Sequence, residues 1–122
     1  MLKWLPIALL AVASTSSLAD TPAPFVGVWK VKWQGATRPQ EAKLVITPTG
    51  GTWKTYASSS SDPCVGREAP IVLSSTAPDK ATIDLRYSSV ISGCSDVKVQ
   101  FQAIDDKLVG KRGKYDAVAE RI

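Results

Sequence analysis

Apolar and polar residues alternate with a period of two through most of the chain beyond residue 25, a pattern that predicts β-strands. In residues 26–34, for example, Trp29, Val31 and Trp33 fall on one face, and two lysines fall on the other. Comparable segments recur about every 10 to 15 residues, and no helical periodicity appears among them. The sequence therefore predicts an all-β protein.

Turn-forming residues separate about eight such segments. The predicted strands cover residues 26–34, 42–47, 52–57, 70–75, 81–88, 97–103, 108–111 and 115–121. Each strand has one apolar face, so the sheet must close or stack to bury it. We predict a small antiparallel up-and-down β-barrel, because closure also removes the strand edges. A two-sheet sandwich is the alternative, although nothing in the sequence indicates long crossover connections.

Residues 1–19 have the features of a secretory signal peptide. Lys3 provides the basic end, and a short apolar run is followed by the small residues of Ser-Leu-Ala at 17–19. The apolar run is too short to span a bilayer as a mature helix. Removing residues 1–19 leaves a single domain, residues 20–122, and lowers the net charge from +4 to +3 because Lys3 is lost. We expect a bacterial periplasmic or secreted protein with no membrane span, too small for a multidomain enzyme.

The chain contains two cysteines, Cys64 and Cys94, and no histidine. In an exported protein two cysteines predict a disulfide bond, and closing a loop of about 30 residues contributes roughly 3–4 kcal/mol in the loop-entropy model. A structural zinc site would need two further ligands, so we expect neither a metal nor another cofactor.

The absence of histidine removes the commonest general base and excludes Ser-His-Asp and Cys-His nucleophilic arrangements. A serine–lysine pair or a carboxylate pair remains chemically feasible. The serine run at 58–61, however, lacks a nucleophile-elbow pattern, and Asp105 and Asp106 occupy an expected hairpin turn. We therefore expect no catalytic residues and no enzymatic activity.

One motif stands out from this pattern. Gly27 and Trp29 begin the first predicted strand as Gly-x-Trp, and Arg121 ends the last. The chain resembles the lipocalin-like (calycin) barrels, in which an arginine of the final strand packs over the tryptophan at the closed end. Such stacking contributes roughly 0.5–2 kcal/mol. The chain is shorter than typical lipocalins and lacks their helix before the final strand, so we expect a narrow interior.

In size, export and single disulfide, the chain most resembles the small bacterial inhibitors of secreted metalloproteases. In that family the mature N-terminal tail enters the protease cleft and its amino group meets the catalytic zinc. The resemblance implies this role for the segment 20–24, with Asp20 and Thr21 as contact residues. Two prolines predict an extended conformation there. A spacer that merely follows the signal peptide is the alternative.

Further candidate binding residues lie near the predicted loops. Trp33 and Trp53 are expected on the inner face, as the rim of a ligand pocket or as filler of a small barrel. Tyr56 precedes a long polar loop that carries Arg67 and is joined through Cys64 to the turn at Cys94.

Two functions follow from these candidates: binding or inhibition of a secreted or periplasmic protein, or transport of a small apolar ligand in the barrel mouth. An oligonucleotide-binding barrel has a similar size and a basic face, but export and a net charge of only +3 argue against nucleic acid.

Overall fold

A computed structural model describes residues 21–56, 64 and 66–122. The predicted signal peptide, Asp20 and the serine run at 58–61 lie outside the described residues. Eight antiparallel strands form a closed barrel in sequence order, with the first strand paired to the last. They are β1 (Gly27–Gln34), β2 (Pro39–Thr47), β3 (Gly50–Thr55), β4 (Ala69–Ala77), β5 (Lys80–Leu85), β6 (Val97–Ile104), β7 (Lys107–Arg112) and β8 (Tyr115–Arg121).

The predicted up-and-down barrel is confirmed, and the sandwich alternative is wrong. Most strand ends differ from the prediction by one to three residues, and two of these differences matter for the disulfide end. β5 stops at Leu85, because Arg86 leaves the extended region at φ −92°, ψ 63° and Tyr87–Ser89 forms a 3₁₀ turn. β7 includes Arg112, which the sequence had assigned to a turn. In the part of the chain that the structure describes, no helix is long and apolar enough to cross a membrane.

Side chains from the inward faces of the strands pack in the barrel interior, on the faces that the alternation predicted. Two of its three tryptophans, Trp29 and Trp53, are fully buried, and Phe25 enters from the segment before β1. Smaller aliphatic residues of every strand except β3 complete the core, including Val31, Leu44, Ile71, Ile83, Val99, Leu108 and Ala119. The expectation of a narrow interior thus agrees with the packing.

The up-and-down topology gives the barrel two distinct ends. The N-terminal end contains residues 21–26 and the turns that follow β2, β4 and β6. The disulfide end contains the segments that follow β1, β3, β5 and β7. The bond between Cys64 and Cys94, with Cα atoms 5.8 Å apart, joins two of these segments. The predicted disulfide is confirmed, and it is consistent with an oxidising compartment.

The segment before β1 is docked against the barrel and is not fully extended as predicted. Pro22 has polyproline geometry, but Ala23–Phe25 forms a 3₁₀ turn in which the Phe25 N–H donates to the Pro22 carbonyl. Burial of the Phe25 ring stabilises this turn. The Thr21 N–H donates to the Pro48 carbonyl at 3.0 Å, and the Thr21 hydroxyl donates to the Thr47 carbonyl at 2.9 Å.

Arg121 stacks on Trp29 at the N-terminal end, as the Gly-x-Trp resemblance implied. The guanidinium carbon lies 4.2 Å from the ring centroid, and Trp29 Nε1 donates to the Phe25 carbonyl at 2.9 Å. A Cβ at Gly27, where φ is +148°, would collide with the Arg121 guanidinium. Glycine therefore gives the arginine room to reach the indole face.

Three lysines face one another across the outer surface of β1, β2 and β3. Lys43 is in register with Lys30 on one side and Lys54 on the other, and all three are exposed. Like charges directly opposite one another destabilise a sheet.

We expect Lys43→Glu to raise the free energy of unfolding by about 0.5–1 kcal/mol, measured by urea denaturation at low salt. Lys43→Gln should give a smaller gain, and a less stable glutamate variant would contradict the register.

Candidate functional site

Two tryptophans of the core meet near the disulfide end. Trp33 lies near the end of β1 and Trp53 lies on β3, with ring centroids 5.6 Å apart and planes tilted by 39°. Trp53 Nε1 donates to Thr55 Oγ1 at 2.9 Å, and this hydroxyl shares a 3.3 Å hydrogen bond with the Tyr87 hydroxyl. These buried polar atoms satisfy one another, so the Trp53 ring, against which Trp33 packs, is held in a fixed orientation.

Arg112 extends from β7 over both rings. Its guanidinium carbon lies 4.7 Å from the Trp33 centroid and 5.7 Å from the Trp53 centroid. Its Nε is buried without a hydrogen-bond partner. Among the described residues Arg112 forms no ion pair. We call Trp33, Trp53 and Arg112 the arginine–tryptophan cluster.

The sequence places Arg112 in this cluster through the alternation of β7. Leu108 and Arg112 point inwards, whereas Val109 and Lys111 are exposed. At Gly110, between the two inward residues, a Cβ would overlap the backbone of β6, so β6 and β7 approach closely just before Arg112. Sequence reasoning missed Arg112 because the glycine after it indicated a turn. Continuing the period-two pattern from Leu108 would have identified it.

The segment between β5 and β6 forms one wall of the disulfide end. The Ser88 N–H donates to Asp96 Oδ1 at 3.0 Å, and Arg86 approaches Asp96 Oδ2 at 3.5 Å. Hydrogen bonds from Ser88, with the charge of Arg86, hold the pKa of Asp96 below its usual value. These contacts stabilise the segment internally, and the disulfide at Cys94 joins it to the segment that follows β3.

The predicted site residues separate onto the two ends of the barrel. Trp33 and Trp53 are buried in the arginine–tryptophan cluster, with Trp33 only 7% exposed. Tyr56 and Arg67 are exposed at the same end, and Tyr56 is 48% exposed. Thr21, by contrast, is anchored at the N-terminal end. The two surfaces considered from the sequence therefore cannot form one site.

A groove of about 350 Å³ lies on the outer side of β1, β2 and β8 and reaches Trp33. Gln34 and Pro39, in register at the ends of β1 and β2, line it beside the disulfide end. The groove thus lies on the outer surface beside the part of β1 that carries Trp33.

The two adjacent aspartates that the sequence analysis considered lie in a hairpin turn. Asp105 and Asp106 both have positive φ, at 49° and 66°, and form the β6–β7 hairpin turn that the sequence predicted. Asp106 accepts a hydrogen bond from Arg121 Nε at 3.1 Å, so it has a structural partner. No group of three or more acidic or cysteine side chains with metal-binding geometry occurs among residues 21–56, 64 and 66–122.

Comparisons with models of protein families, with curated proteins and with solved structures gave no match.

Proposed function

We propose that this chain is an exported, non-enzymatic binding module that binds a protein through its disulfide end and inhibits a secreted or periplasmic enzyme. The observation that carries the proposal is the filled barrel. Trp29, Trp53 and Phe25 are fully buried, with aliphatic side chains packed around them. A packed interior leaves the outer surface and the loops for recognition.

The disulfide end has the features of a protein-binding surface. Two of its segments are joined by the Cys64–Cys94 bond, which lowers the entropy that they lose on binding. Tyr56 and Arg67 are exposed there, and the groove beside Trp33 adds a concave surface. Tyrosine, tryptophan and arginine are the residue types enriched in binding hot spots.

The lipocalin-like barrel and the resemblance to metalloprotease inhibitors support a protein partner, but the anchored N-terminus argues against insertion of a tail. Thr21 is bonded to Thr47 and Pro48, so with cleavage after Ala19 only Asp20 would precede the anchor. One residue spans at most about 3.6 Å. A tail of that length enters a cleft poorly, which favours the opposite end of the molecule.

The position of the partner can be tested by photo-crosslinking in cells that express the full chain with its own leader. We expect a benzophenone amino acid at Tyr56 or Arg67 to give one discrete protein adduct. The same group at Asp105 or Ile122, both exposed at the N-terminal end, should give none. The captured enzyme should then be inhibited by the purified chain at a 1:1 ratio.

The crosslinking pattern separates the alternatives. Adducts confined to Asp105 and Ile122 would move the interface to the N-terminal end and restore a role for Asp20 and Thr21. Adduct formation without inhibition would reduce the proposal to binding alone. No adduct at any of the four positions would contradict a protein partner.

A small ligand at the barrel mouth is the second candidate function, favoured by the indole surface of the arginine–tryptophan cluster. A purely apolar ligand would cover the charged Arg112 without pairing it, which is costly. Native mass spectrometry of the purified protein tests this candidate, because a retained ligand would appear as an adduct that is lost on unfolding.

A further inference from the structure

Two arginines stack on tryptophans at opposite ends of the barrel, and they differ in their hydrogen bonds. Arg121 covers Trp29 at 4.2 Å, and its Nε, Nη1 and Nη2 donate to Asp106, Val26 and Pro24 at 3.1, 2.9 and 3.2 Å. Arg112 covers Trp33 at 4.7 Å, but its buried Nε has no acceptor. Both guanidinium groups therefore stack on an indole ring, but only that of Arg121 has hydrogen-bond acceptors for all three of its nitrogen atoms.

Because Arg112 lacks these acceptors, it retains most of its capacity to bind an anion. A guanidinium has five N–H donors in its plane, and an indole beneath that plane satisfies none of them directly. Asp106 supplies the carboxylate for Arg121. In the described part of the chain no carboxylate pairs with Arg112, and its Nε–H lacks the acceptor that a buried donor needs.

We propose that Arg112 binds a carboxylate group, and that the apolar atoms next to this carboxylate pack against the edge of Trp33. A carboxylate is planar and carries a single charge, so it can accept two hydrogen bonds from the guanidinium edge at modest desolvation cost. The inference rests on the proposed function in one respect: the carboxylate is an acidic side chain or the C-terminus of the protein that the disulfide end binds.

The carboxylate site can be tested without the partner by titrating the ¹⁵N-labelled protein with sodium hexanoate, which joins a carboxylate to a short alkyl chain. We expect the Nε–Hε resonance of Arg112 to shift and saturate, with a dissociation constant in the millimolar range. The Nε–Hε resonance of Arg121 should not move, because its acceptors are already in place. 1-Hexanol tests apolar contact alone, and inorganic phosphate tests a different oxyanion.

Variants then assign the binding to Arg112. Arg112→Gln should weaken hexanoate binding roughly 10- to 100-fold, since hydrogen bonds between charged groups are lost. Arg112→Lys keeps the charge without the planar fork and should give an intermediate loss. Lys114→Gln is the matched control, because it removes one exposed positive charge from the same end, at a residue outside the proposed binding surface, and should change the affinity less than twofold.

Several results would overturn the proposal: no shift of the Arg112 resonance in the wild-type protein, equal binding of 1-hexanol, tighter binding of phosphate, or a larger loss in Lys114→Gln than in Arg112→Gln. The wild-type titration decides the matter even if a variant folds poorly. Hexanoate binding without any crosslinked partner would leave the site intact and contradict only the protein-binding function. If Arg112→Gln bound the protein partner as well as the wild type does, the protein-binding function would stand, and the assignment of Arg112 to the partner's carboxylate would be wrong.

Discussion

Replacing Trp29 by alanine is expected to lower the free energy of unfolding by about 3–5 kcal/mol, the usual range for a buried tryptophan. The ring is fully buried, its Nε1 donates to the Phe25 carbonyl, and Arg121 lies across its face. Alanine leaves a cavity, an unpaired carbonyl and a guanidinium without its stacking surface. For a domain of about 100 residues, this loss corresponds to a fall in melting temperature of more than roughly 10 °C.

The variant Trp29→Phe provides a matched control. It keeps most of the apolar contact with Phe25 and the stacking surface for Arg121 but removes the indole N–H. We expect about 1–2 kcal/mol of destabilisation from it. Guanidinium denaturation followed by circular dichroism measures both variants. An unchanged melting temperature for Trp29→Ala would show that the assigned register between β1 and β8 is wrong, because Trp29 would then not be central to the core.

The sequence predicted the barrel because nearly every strand has one buried and one exposed face. In β1, Trp29, Val31 and Trp33 are buried and the residues between them are exposed, as period-two alternation requires. Local pattern and global topology agree in such a strand, so a single sequence is enough. The pairing of Cys64 with Cys94 was equally accessible, since only one intramolecular pairing exists for two cysteines.

Features set by tertiary contacts were not predictable in this way. The segment 21–25 has the local preferences of an extended chain, yet burial of Phe25 and the hydrogen bond from Trp29 turn it into a 3₁₀ turn. The end of β5 is similar, because Tyr87 stays buried while its backbone has left the strand geometry. In both cases packing of one aromatic ring outweighs the local backbone preference.

The candidate site was predicted in part. Alternation placed Trp33 and Trp53 inside, but it did not place the guanidinium of Arg112, which forms no ion pair with another described residue, beside them. Arginine is rarely buried without a partner, so a pattern that counts apolar residues treats Arg112 as a turn or surface residue. Only the structure shows it over both indole rings. The residue with the clearest binding chemistry is thus the one that departs from the general rule.

Removal of the disulfide is expected to be the second large perturbation. The bond joins residues 30 positions apart, so its loss should cost about 3–4 kcal/mol in the loop-entropy model. That is a large share of the roughly 5–15 kcal/mol that stabilises a typical domain. Urea denaturation of Cys64→Ala/Cys94→Ala, compared with the oxidised and the reduced wild-type protein, measures the loss. Similar stability of all three would show that the joined segments are ordered without the bond.

The same double variant distinguishes two parts of the proposed binding site: the arginine–tryptophan cluster and the segments that the disulfide joins. Trp33, Trp53 and Arg112 are carried by β1, β3 and β7, whereas the disulfide joins segments outside the strands. Below its unfolding transition the variant should therefore bind hexanoate within about threefold of wild type. Its affinity for the protein partner should fall at least tenfold, because released segments lose more entropy on binding. Equal losses for both ligands would mean that the disulfide also positions the cluster, and that the strands alone do not hold Arg112 over the indole rings.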